Sequence, residues 1–69
     1  MDAATRQMIE DTYHEAIEEA RGRGVSLLNA HKEAVVAAAM LLSALTSVED
    51  EVAKKQVVGL GLRPQTGDQ

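Results

Sequence analysis

A chain of 69 residues with net charge −4, no cysteine and a single aromatic residue, Tyr13, has room for one small domain whose core is built from Ala, Val, Leu, Ile and Met. This excludes a disulfide framework and thiolate metal centres. The charge is −3 on residues 1–24, zero on 25–45 and −1 on the remainder; no segment gathers Lys and Arg into a stripe, so neither nucleic acid nor an anionic membrane is expected as a partner.

Met1 to Arg6 lack the basic start and apolar stretch of a secretory signal, which makes the cytoplasm the expected location. Residues 3–21 are predicted to form an amphipathic helix with Asp2 as its N-cap. At 100° per residue, Ile9, Tyr13, Ala16, Ile17 and Ala20 share one side, and Glu10, Asp11, His14, Glu15 and Glu18 take the other. Asp2 with Arg6 and Glu19 with Arg23 have the favourable acid-first i,i+4 order. Gly22 and Gly24 stop the helix, because glycine accepts the left-handed conformation that closes a helix end.

Ser26 is placed to cap a second helix over residues 27–45, and the short connection before it predicts an antiparallel hairpin. This second helix holds the most informative feature of the chain. From Ala34 to Val48 there are fifteen residues without a charge, and at helical pitch the apolar ones point in every direction. Such a helix has to be covered on several sides. Leu27, His31, Ala34, Val35, Ala38, Leu41, Leu42 and Leu45 form its dominant apolar side, while Val36 and Met40 lie on the outer face among Asn29, Lys32, Glu33 and Ser43. The run is shorter than the roughly 20 apolar residues that cross a bilayer, so no membrane span is expected. Thr46 with Glu49 and Ser47 with Asp50 read as overlapping capping boxes. They introduce a short third helix over 48–57, with Asp50 facing Lys54 and Glu51 facing Lys55. Gly59 and Gly61 end it, leaving a domain over 1–62 and a frayed tail over 63–69.

Three constellations carry candidate chemistry. Glu10, His14 and Glu18 stand at i,i+4 steps, a spacing at which carboxylates and an imidazole can converge on a divalent metal; against this, His14 sits on the charged face, whereas metal ligands in bundles point inward. His31 lies on the apolar side of the second helix, where a ring nitrogen needs a hydrogen-bond partner such as Tyr13 or a carboxylate. Its titration would make any interface built around it sensitive to acid. Ala30, Ala34 and Ala38 repeat at a spacing that lets helices approach closely, which points to a subunit seam comprising Ala34, Ala38, Leu41, Leu42, Leu45 and His31. No serine has a histidine and an acid at readable spacing, and no glycine-rich turn offers an oxyanion hole.

The expected architecture is therefore all-α: an antiparallel helical hairpin with a short third helix, paired across the second helix into a homodimeric bundle. The expected function is that of a small non-enzymatic interaction module, regulatory or adaptor in type, without a cofactor, acting through homo-oligomerisation and a protein partner. Two alternatives share these helices: an export or assembly chaperone whose second helix covers a client helix, and a metal-binding bundle using Glu10, His14 and Glu18.

Overall fold

The computed structural model describes residues 1–64, which form three helices: α1 (Ala3–Gly22), α2 (Leu27–Thr46) and α3 (Asp50–Gly59). The order and type match the sequence expectation. α1 and α2 run one residue longer than expected, and α3 is displaced by two residues toward the C-terminus.

The start of α1 follows from Asp2, whose carboxylate accepts the Thr5 backbone N–H at 2.8 Å. That bond holds the Asp2 carboxyl below its usual range, since it favours the ionised form. With its carboxylate so used, Asp2 forms no ion pair with Arg6. Arg6 instead reaches forward to Glu10 at 3.0 Å. At the other end, Gly24 adopts a left-handed φ of 85°. The Val25 N–H bonds back to the Ala20 carbonyl and the Gly24 N–H to that of Arg21, each at 3.0 Å. This is a Schellman closure, with Val25 folded onto the core beside Ala20. Arg23 does not pair with Glu19 but crosses the turn to Glu33 of α2 at 2.8 Å. Ser26 caps α2 through the Asn29 N–H at 3.2 Å.

The expected capping boxes before α3 do not form. The Thr46 hydroxyl donates to the Leu42 carbonyl within its own helix at 2.7 Å, a local alternative open to any helical threonine. Ser47 turns left-handed at φ 63° and ends α2. Ser43 then closes the corner by donating to the Val48 carbonyl at 2.7 Å. Glu49 becomes the N-cap of α3 without a side-chain bond, and Asp50 and Glu51 in the first turn act through the helix dipole instead. Neither Asp50 with Lys54 nor Glu51 with Lys55 is an ion pair among the described residues.

α2 is the central helix. It packs against both α1 and α3, which barely meet each other. One core unites the three: Ile9, Tyr13, Ile17 and Ala20 from α1, Ala30, Ala34, Val35, Ala38, Ala39 and Leu42 from α2, and Ala53 and Val57 from α3. Six of these twelve are alanines, so the helices approach closely while each contact buries little apolar surface. At about 25 cal/mol per Å² this makes a thin core. Among the described residues, no helix is long and apolar enough to cross a membrane.

Two substitutions probe this packing. Leu42 is fully buried where the three helices converge, and Leu42→Ala is expected to cost about 3 kcal/mol, enough to leave a domain of this size largely unfolded; urea denaturation followed by circular dichroism measures it. Ser47→Gly relieves a left-handed conformation unfavourable for a residue with a Cβ, partly offset by the freedom glycine adds to the unfolded chain. It should raise stability by about 0.5 kcal/mol.

Candidate functional site

Two features of the surface rise above an ordinary solvated exterior. The first is a polar contact at the edge of the core. Tyr13 is carried into the interior by the apolar side of α1, and α2 runs antiparallel to it, so that His31, one turn into α2, arrives at the phenol. The Tyr13 hydroxyl and His31 Nδ1 are 2.6 Å apart. The rings meet edge to face with centroids 5.6 Å apart and planes at 76°. His14, the next residue on α1, packs edge-on against the same phenol at 5.1 Å. The sequence expectation that His31 needs a partner, and that Tyr13 can provide it, agrees with this geometry.

The Tyr13 hydroxyl and His31 Nδ1 share one hydrogen, and the imidazole tautomer sets which of them donates it. Burial raises the Tyr13 phenol above its ordinary value of 10.0, partly countered by the nearby Arg63 guanidinium. His31 also borders an open cleft of about 180 Å³ that continues along Val35, Val57, Val58, Gly61, Leu62 and Arg63.

Arg63 is thus part of a surface that sequence reasoning missed, since it was assigned to a tail over 63–69. A signal was present. Leu60 and Leu62 alternate with Gly59 and Gly61, and a left-handed φ of 71° at Gly61 turns the chain so that both leucines pack against the core. Residues 65–69 of the expected tail lie outside the described residues.

The second feature is a row along α2. Leu28, Lys32, Val36, Met40 and Ala44 follow one another at i,i+4 steps and all are exposed, Leu28 and Met40 at 64% and Val36 at 47%. Beside it run Ala37 and Leu41, half-buried, and Leu45, exposed. Four of the five residues in the exposed row are apolar, and only Lys32 interrupts them.

The six residues of the expected subunit seam divide between these surroundings. Ala34, Ala38 and Leu42 are fully buried under helices of the same chain, so a second copy could reach them only by displacing α1 or α3. Leu41 is half-buried, Leu45 exposed, and His31 is engaged with Tyr13. The alanine spacing does bring helices close, but within one molecule. The metal candidates do not gather. Glu10 is taken by Arg6, His14 lies against Tyr13 and Glu18 is exposed; no group of three His, Asp or Glu among the described residues could hold a metal ion.

The Tyr13 contact is directly measurable because this is the only chromophore of its kind in the chain. Tyr13→Phe removes one hydrogen bond and should lower stability by about 1 kcal/mol. The folded chain holds the phenolic proton more tightly than the unfolded chain. The stability this contributes is complete below pH 10.0 and is lost as pH rises through the folded value. Tyrosinate absorbance in native and urea-unfolded protein should show the higher midpoint in the native state, and the matching decline in stability above pH 10.0 should vanish in Tyr13→Phe.

Compared with known proteins, the chain matches no protein-family model, no curated protein and no solved structure.

Proposed function

We propose that this protein is a small non-enzymatic interaction module that works by associating with a second copy of itself, and through that assembly with a protein partner. The observation that carries this reading is the exposed row Leu28, Lys32, Val36, Met40 and Ala44 on α2. An i,i+4 row is the ridge by which helices most often pack into one another's grooves. Each large apolar residue in it, about half exposed, leaves on the order of 1 kcal/mol of transfer free energy unrealised in the isolated chain.

The surroundings favour a second copy placed antiparallel. Lys32, near the start of the row, makes no ion pair among the described residues, and Glu49, Asp50 and Glu51 follow its far end. An antiparallel two-fold arrangement brings Lys32 of each copy toward the acidic start of α3 in the other, and each such approach occurs twice by symmetry. A parallel arrangement would set like charges together. The acidic outer side of α1, with Glu10, Asp11, Glu15 and Glu18, stays free in either case and is the surface on which a basic partner segment would be selected.

One helix row covers less than the ~800 Å² per partner of a standard interface, so association in the micromolar range is expected. Sedimentation equilibrium across that range should show a mass rising from 7.4 kDa toward twice that value. Met40→Glu, at an exposed position, should keep its helicity and remain a monomer throughout. A wild-type chain that stays monomeric and well folded at every concentration overturns the proposal.

A further inference from the structure

The corner between α2 and α3 is held by few interactions. Between Gly24 and Gly59 the chain has neither glycine nor proline, so nothing in its covalent structure obliges α2 to stop at Thr46. One residue makes the break. Ser47 stands at φ 63°, the only residue other than glycine with a positive φ among those described, and a side chain in that region is strained. The N–H groups of Val48 through Val52 do not reach the carbonyls four residues before them, and Glu49 caps α3 without a side-chain bond. Among the described residues, the Ser43 hydroxyl on the Val48 carbonyl is the one side-chain bond across the corner. Were Ser47 to turn right-handed, α2 and α3 would become one helix from Leu27 to Gly59, and the missing backbone bonds would form.

What such a helix gives up is its cover. α3 folds back along α2 until Val57 and Val58 border the same cleft as His31 and Val35. It buries Ala53 and Val57, Leu60 and Leu62 follow them onto the core, and its contact with α1 is slight. This arm can leave α2 without unpacking the α1 and α2 hairpin. We propose that α3 is exchanged between two copies of the chain: Ser47 straightens in both, and each arm takes on the other copy's α2 the place it holds here on its own. The vacated side of α2 is complementary to an identical arm because it is the surface that arm covers in this structure. Since α3 runs back along α2, two straightened helices lie antiparallel about a two-fold axis beside Ser47, and the exchange closes at two copies. The arm's contacts are kept and two strained corners are relieved. The row from Leu28 to Ala44 lies on another side of α2 and takes no part, so the exchange stands apart from the association proposed above.

The test is made on Met40→Glu protein, which removes the row from the comparison so that the two proposals fail separately. The chain has no cysteine, which lets Asn29→Cys and Lys55→Cys, both at exposed positions, carry a unique pair of spin labels. Labelled chain is refolded from urea with excess unlabelled chain at millimolar concentration, far above the range in which the row is tested, and the dimer is isolated by size. At 1.5 Å per residue a continuous helix sets these labels about 40 Å apart, beyond the 33 Å longest dimension of the compact chain. The dimer is expected to show that distance and the monomer to lack it. Asp50→Pro should abolish the dimer and keep the monomer's helicity, because proline suits the first residue of α3 but breaks a continuous helix. Ser47→Ala should raise the association constant about 5-fold, since two corners per dimer gain helix propensity. Ser47→Gly, which favours the left-handed corner, should lower it by about 10-fold or more. A dimer without the long distance, equal dimerisation of Asp50→Pro, or a Ser47→Ala chain that stays monomeric would each overturn the exchange.

Discussion

The structure depends on the close approach of α2 to its two neighbours, made possible by alanine. Ala30, Ala34 and Ala38 are fully buried, with Ala39 nearly so. Ala20 of α1 and Ala53 of α3 are equally small members of the same core. Small side chains let backbones come near, but each removes little apolar surface from water, so the larger residues Ile9, Tyr13, Leu42 and Val57 must supply most of the burial. Chain length then sets a limit. Two helices, one of them only ten residues long, can cover two sides of α2 and not its whole circumference. The third side remains as the row from Leu28 to Ala44.

This limit links the fold to the proposed function. A helix that carries no charge from Ala34 to its end at Thr46 gains stability on the two sides where α1 and α3 lie, and on the third side it retains an unmet tendency to bury Val36 and Met40. A larger domain would add a fourth helix there. In the proposed function the same role falls to a second copy, which would make assembly responsive to concentration and to whatever competes for the row. The Tyr13 and His31 contact acts at a different level. It joins α1 to α2 by a directional bond at the core's edge, where small alanine contacts supply little direction of their own.

Much of this was legible in the residues. The amphipathic pattern of α1 identified Ile9, Tyr13, Ile17 and Ala20 as its inner side; the caps at Asp2 and Ser26 and the turn at Gly24 marked helix ends because their chemistry is local. The central position of α2 followed from its lack of a charged face. What escaped was non-local. Alanine spacing reveals that a close approach occurs without revealing whether the neighbour belongs to the same chain, so Ala34, Ala38 and Leu42 were assigned outward when they pack inward. The ion pairs of Arg6 and Arg23 went to Glu10 and Glu33 because exposed arginines choose among several acids of nearly equal merit. The cleft at Arg63 depends on a left-handed glycine after α3, a backbone feature that composition only hints at.

The most direct test of the central claim is solvent access to individual methyl groups, read from the attenuation of their NMR signals by a soluble paramagnetic probe in dilute protein. If α2 is covered on two sides and bare on the third, the methyls of Ala34 and Ala38 remain protected while those of Val36, Met40 and Ala44 are strongly attenuated, and concentrating the protein restores the second set alone. Equal protection of both sets in dilute solution, or attenuation of Ala38 alongside Met40, would contradict it.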